Sequence, residues 1–185
     1  TGSIPNNYFD YTPSGAVNFG STFADTKING AIPDDLFSHC TGVTSFYATF
    51  LRTDVTSVPP GLFSACTLVN NFQVTFHSSN LIEIPPNLFH TNPLVTNFGG
   101  TFHGNPITQI PENLFSACTL VNTISGAFRG CPLTDVYHDV FEPFSGVTDA
   151  SYLFQGCGSL TGISPTIFST MTGVTDMALI LDGVD

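Results

Sequence analysis

The chain has 185 residues, with 14 Asp or Glu against 3 Lys or Arg and a formal net charge of −11. Lys27, Arg52 and Arg129 cannot build the basic face that phosphate neutralisation needs, so nucleic-acid binding is excluded. An apolar fraction of 42% excludes disorder, and no apolar run is long enough to span a bilayer, so no membrane insertion is expected.

The chain begins Thr1-Gly-Ser-Ile-Pro5, without an initiator Met or a signal-peptide pattern, which reads as a piece of a longer protein. Ile4 starts a loose copy of a motif that recurs as Ile32-Pro-Asp-Asp-Leu-Phe37, Val58-Pro-Pro-Gly-Leu-Phe63, Ile84-Pro-Pro-Asn-Leu-Phe89 and Ile110-Pro-Glu-Asn-Leu-Phe115. Looser copies start at Val136 and Ile163, and the seven starts are spaced 28, 26, 26, 26, 26 and 27 residues apart. The repeats consume residues 1–185 as a single domain.

Within each repeat the apolar period changes. Val43, Phe46 and Phe50 are spaced i, i+3, i+7, as are Val69/Phe72/Phe76 and Val95/Phe98/Phe102, which predicts a helix. Thr67 and Asn92 fit helix N-caps, and Pro93 fits the first helical position. A turn such as His103-Gly-Asn-Pro106 follows. Then Val55–Val58, Leu81–Ile84, Ile107–Ile110, Leu133–Val136 and Leu160–Ile163 predict short strands, ended by Pro59, Pro85 and Pro111 in the repeats that carry it. The next x-x-Leu-Phe predicts one helical or 3₁₀ turn. The expected fold class is an α/β repeat solenoid, a leucine-rich-repeat-like stack of seven strand-helix units with a period near 26. Its parallel sheet would be roughly 30 Å long.

Of the 18 Phe, 17 fall into three columns in register with the repeat. Phe9, Phe37, Phe63, Phe89, Phe115, Phe141 and Phe168 share one phase. Phe23, Phe50, Phe76, Phe102, Phe128 and Phe154 share a second, and Phe19, Phe46, Phe72 and Phe98 a third. Aromatic side chains stacked at a fixed phase are expected to form the core. Only Phe144 lies outside, in a column with Cys40, Cys66, Asn92, Cys118 and Met171.

Cys40 and Cys66 stand at one phase of adjacent repeats, and Cys131 and Cys157 at another. Such positions suit buried free thiols that pack as small apolar groups, and they also fall within Cα range of disulfides. His77, His103 and Arg129 form a column that reads as positive charge at helix C-termini, or as a ladder able to bind a metal or a carboxylate. His39, His90 and His138 fall in unrelated phases and suggest solvated loops.

The strand columns are where a solenoid presents one side chain per repeat to a partner. Ser57, Glu83, Gln109 and Asp135 precede the inward Ile or Val, and Tyr137 supplies an aromatic anchor; these five are the candidate ligand-binding residues. The same positions also suit ordinary solvated strand residues. A neighbouring column of Thr56, Thr108, Thr134 and Thr161 is broken by Ile82, which argues against a regular ice-binding array. No nucleophile-elbow, metalloprotease, P-loop or dinucleotide motif occurs, and Asp34-Asp35 fits a helix start better than acid–base catalysis. No catalytic residue, metal or cofactor is assigned.

The segment Phe154-Gln-Gly-Cys-Gly-Ser-Leu-Thr-Gly-Ile163, with Phe128-Arg-Gly-Cys-Pro-Leu-Thr-Asp-Val136, resembles the BspA-like leucine-rich repeats of microbial surface proteins. Val147-Thr-Asp149 and Val174-Thr-Asp-Met177 look like that family's Val-Thr-x-Met/Phe helix. The Ile-Pro-x-x-Leu-Phe units are also similar to segments of phage tail-fibre and receptor-binding proteins. The resemblance implies an extracellular module, on a cell surface or a virion, that binds a host-surface glycan or protein. A structural subunit or rigid spacer of a virion, fibre or filament, associating through the solenoid ends, is the alternative.

Overall fold

The computed structural model describes residues 2–6, 8–9, 15 and 18–184. Thr1, at the start of the first repeat, lies outside them. Asn18, Ser45, Asn71, Asn97, Thr123, Asp149 and Asp176 form a line of parallel bridges, each paired with its counterpart one repeat on. A second line of pairing is intermittent. Strand β1 (Asn29–Ala31) pairs in parallel with β2 (Asp54–Ser57), and β3 (Asp135–Val136) pairs in parallel with β4 (Gly162–Ile163). Gly2 bridges Ile28 on the same line.

No helix occurs among the described residues, and the segments predicted as helices carry the line of bridges instead. The reason lies in where the backbone donors point. In an α-helix every N–H bonds to the carbonyl four residues back. Here the N–H groups of Phe46, Ala48, Phe50 and Arg52 leave the repeat and donate to the carbonyls of Asn71, Gln73, Thr75 and His77, at 2.8–3.0 Å. Thr49 and Leu51 turn back and donate to Phe46 and Ala48, at 3.1 and 3.2 Å. Left-handed backbone at Ala48 (φ 54°) and Arg52 (φ 52°) closes each turn. Every repeat has such a pair, including Ser21/Asp25, Val74/Ser78 and Gly100/Gly104. Successive four-residue turns therefore return Val43, Phe46 and Phe50 to one interior face without a helix.

Several local expectations change with it. Thr67 is exposed and caps no helix, and Asn92 is buried, donating Nδ2 to the Cys66 carbonyl at 2.9 Å. The x-x-Leu-Phe segments make turns, as in Leu36 N–H to Pro33 O at 3.3 Å. The expected strands at Leu81–Ile84 and Ile107–Ile110 do not form, although Leu81, Ile84, Ile107 and Ile110 are all buried as expected.

The Phe columns are the core. Along the first column Phe37, Phe63, Phe89 and Phe115 stack at 6.0–6.2 Å between centroids. Rings of the third column tilt against them at 4.7 Å, as in Phe46–Phe63 and Phe63–Phe72. Offset-stacked and tilted pairs suit the ring quadrupole and add to the burial of large apolar area. Phe144, out of phase, packs 5.0 Å from Phe115 where the third column passes to Ile124 and Ala150.

A polar lattice satisfies the carbonyls between these rings. Thr75 Oγ1 donates to Phe72 O at 2.6 Å within its own repeat and lies 2.9 Å from Phe46 O in the preceding one. Thr49 and Thr101 do the same. Both acceptors are backbone carbonyls sealed from water, where an unpaired group would be costly.

Candidate functional site

The candidate site lies where the second line of pairing lapses. The Ile82 N–H donates to Thr56 O and the Thr134 N–H to Thr108 O, each at 3.1 Å, so the flanking repeats remain joined. Among the described residues no backbone hydrogen bond links 82–84 to 108–110. Asn105 ties these two repeats together from the side: its Oδ1 accepts from Leu81 N–H at 2.8 Å, and its Nδ2 donates to Phe76 O and Phe102 O at 2.6 and 2.8 Å.

A groove of about 560 Å³ occupies the gap, lined by residues 82–84, Pro86, 108–113 and Tyr137. Ile82 is 59% exposed and Tyr137 45% exposed, so two large apolar side chains face solvent beside Glu83, Gln109 and Glu112. Glu83, Gln109 and Tyr137, three of the five residues singled out from sequence, thus line one groove. Ser57 and Asp135 do not. Ser57 sits half-buried in β2, its carbonyl accepting from Ile32 N–H at 3.0 Å. Asp135 folds onto its own strand, its Oδ1 accepting from Val136 N–H at 2.8 Å. Ile82 and Glu112 were not singled out. The break that Ile82 makes in the Thr column was the visible signal for the first.

The Cys columns are donors as well as packing groups. All five cysteines are buried, and none of them forms a disulfide. Cys131 and Cys157 lie 3.2 Å from the carbonyls of Phe102 and Phe128, each in the preceding repeat. Of the earlier members of that column, Asn105 Nδ2 reaches the equivalent carbonyl, Phe76 O, at 2.6 Å, whereas the Thr53 and Ser79 hydroxyls donate within their own repeats, to Phe50 O and Phe76 O. Burial pushes the Cys66, Cys118 and Cys131 thiols up to about 12, and Cys157 up to about 11. Such thiols are poor nucleophiles.

The helix-terminus reading of the His77, His103 and Arg129 column falls with the helix. His77 and His103 stack face to face with centroids 4.2 Å apart. Burial, reinforced by Arg52 and Arg129, holds His77 below its usual range. Burial, His77 and Arg129 together depress His103 to about 4. Among the described residues, no group of three or more His, Cys, Asp or Glu is placed to hold a metal ion. No helix there is long and apolar enough to cross a membrane.

Comparison with solved structures identifies the repeat type. The glycosylated Toll–Spätzle complex from Drosophila contains a chain matching 82% of this one at 21% identity, with a TM-score of 0.53. A second structure of that complex matches 96% of this chain at 17% identity and a TM-score of 0.50. The chain has a leucine-rich-repeat-like fold. The APL1 leucine-rich repeat domain also aligns, over 85% of this chain at 16% identity, with a TM-score of 0.48. The leucine-rich-repeat-like chain spans 22%, 31% and 34%, respectively, of those three chains. No protein-family model matches it. No curated protein matches it either.

Proposed function

We propose that the chain is a non-enzymatic recognition module that holds a protein partner in the groove bordered by Ile82, Gln109 and Tyr137. The observation that carries this reading is the pairing of two exposed apolar anchors with a rim of Glu83, Gln109 and Glu112. Large apolar side chains surrounded by polar groups are the usual make-up of an interaction hot spot. The Toll–Spätzle assembly, a leucine-rich-repeat protein in complex with a partner, supports a protein as occupant. The acidic rim and net charge of −11 favour a partner surface with basic groups around an apolar centre. The resemblance of its repeats to BspA-like and tail-fibre repeats supports a cell surface or a virion as the module's location.

The test is binding of the 185-residue chain to arrayed host-surface proteins and glycans, beside Tyr137→Ala and Ile82→Ser. Protein capture that both variants lose is the expected result. Capture confined to glycans would replace the partner class, and no capture above background would remove the reading.

A second reading is a structural subunit that associates through its ends. In the last described repeat Met177, Leu179 and Leu181 are 43%, 50% and 41% exposed. Concentration-dependent growth in sedimentation velocity, abolished by Leu179→Asp, would favour it. A monomer at all concentrations would dismiss it.

A further inference from the structure

The line of bridges has its own surface, away from the Tyr137 groove, and in its middle repeats that surface sinks. At one phase Gln73 is followed by Gly99, Ser125 and Ser151, and at the next Val74 is followed by Gly100, Gly126 and Tyr152. Small residues between Val74 and Tyr152 leave a depression of about 440 Å³ with a floor of backbone.

The two rims of this depression differ in chemistry. One rim is the column His77, His103 and Arg129. Arg129 stands with its guanidinium 5.6 Å from the centre of the Tyr152 ring. Arg52 is paired with Asp25, whereas Arg129 makes no ion pair among the described residues. The other rim is Asn97, Thr123 and Asp149. These side chains fold onto the backbone two residues ahead: Asn97 Oδ1 accepts from Gly99 N–H at 2.8 Å, and Asp149 Oδ1 from Ser151 N–H at 3.0 Å. That fixes their orientation and leaves Asn97 Nδ2, at 3.4 Å from Gln73 Oε1, and Asp149 Oδ2, at 3.3 Å from Thr123 Oγ1, in long contacts that a ligand hydroxyl can improve upon.

We propose that this depression binds a sugar unit bearing a carboxylate, with the carboxylate on Arg129 and the ring hydroxyls on Asn97, Thr123 and Asp149. A guanidinium with no protein carboxylate is a bidentate donor waiting for a planar anion. In a chain of net charge −11 it needs short-range contact, because the long-range field repels anions. Asp149 on the facing rim discriminates against a doubly charged phosphate, while it accepts from hydroxyls. The glycine floor gives a flat ring room to lie, with Tyr152 closing one end. The site does not rest on the Tyr137 groove, and its residues are separate from it.

The test is amide chemical-shift titration of the labelled 185-residue chain with trigalacturonate and 3′-sialyllactose, beside neutral cellotriose and lactose. One of the acidic probes is expected to shift amides of 97–103 and 123–129, and to bind at least about tenfold more tightly than its neutral counterpart, the effect of one charge-assisted hydrogen bond. Which acidic probe binds separates a uronate from a sialic-acid-type source. Arg129→Gln, at an exposed position, removes the preference, and Tyr137→Ala leaves it intact. Equal binding of acidic and neutral probes, an unchanged preference in Arg129→Gln, or no shift with any probe would overturn the proposal.

Discussion

A Cβ on Gly100 would lie 2.9 Å from Cγ1 of Val74, its counterpart one repeat earlier. Gly100 also has φ 60°, a left-handed conformation that costs an L side chain about 1–2 kcal/mol. Gly126, the next member of the column, has the same φ, but its nearest neighbour, Arg129 Cβ, is 3.8 Å away. Gly126→Ala therefore meets only the backbone cost, and Gly100→Ala meets overpacking as well. Thermal unfolding should place Gly126→Ala about 1 kcal/mol below the parent and Gly100→Ala about 2–3 kcal/mol below it. Equal losses at the two positions would show that the Val74 contact is relieved at no cost.

Asn105 replaces with one side chain the backbone pairing missing between residues 81–84 and 107–110. Asn105→Ala leaves the Leu81 N–H without its acceptor and withdraws a donor from Phe76 O and Phe102 O, all interior. Phe76 O keeps the Ser79 hydroxyl and Phe102 O keeps the Cys131 thiol as donors, so the Leu81 N–H alone is orphaned, and a loss of about 1–3 kcal/mol is expected in urea unfolding. Asn105→Ser keeps one hydroxyl donor, as Ser79 has at the same phase, and should lose less. Hydrogen exchange at Leu81 should quicken in both variants, and an unchanged Leu81 amide would contradict the bracing role.

The repeat and its core were legible because burial selects side chains by phase. Phe37, Phe63 and Phe89 recur at one phase, and all three are fully buried. The path of the backbone between them was not legible. Turns of four residues return Val43, Phe46 and Phe50 to the interior at the same spacing as a helix face, so periodicity alone cannot separate the two. What distinguishes them is φ, and Ala48 and Val74 give no sign of a left-handed backbone, whereas Gly100 and Gly126 at the same phase do. Ser45, Asn71, Asn97 and Asp149 also recur one residue before the third interior column, each accepting from the N–H two residues on. That pattern of turn-forming side chains was the sequence signal for a bridge instead of a helix. The groove was half legible: one side chain per repeat was anticipated on this surface, but the lapse in pairing that leaves the groove between Ile82 and Gln109 depends on backbone register.

His103 makes stability depend on pH. Its folded value is depressed to about 4 from an ordinary 6.5, so between these limits the unfolded chain takes up a proton that the folded chain refuses. The stabilising effect is therefore complete above about pH 6.5 and is lost as pH falls toward about 4, where the folded state also protonates. His77, shifted in the same direction, adds to the slope. The groups acting on His103 are His77 and Arg129, so Arg129→Gln should raise its titration midpoint. Proton NMR of the His103 ring should show that midpoint near 4 in the parent, and His103→Gln should flatten the fall in melting temperature between pH 6.5 and 5. A midpoint near 6.5 in the folded chain would refute the depression.

The thiols make the closing of the stack measurable from inside. Cys66, Cys118, Cys131 and Cys157 are fully buried, and burial keeps their thiolates out of reach at neutral pH. A thiol-specific reagent should leave these four cysteines unmodified in the native chain and label them in denaturant, as read by intact mass. Labelling that does occur natively must pass through local opening, which in a repeat protein is easiest near the ends of the stack. Cys157 lies one repeat nearer the last described repeat than Cys118 does, and its thiol is raised less. It should therefore label before Cys118 as denaturant rises. Substituting Cys131→Ser keeps a donor for the Phe102 carbonyl and should be tolerated, whereas Cys131→Ala leaves that acceptor with one partner fewer and should cost about 1–2 kcal/mol. If Ser and Ala prove equal at this position, the Cys131 thiol contributes only its volume, and the donor column ends at Asn105.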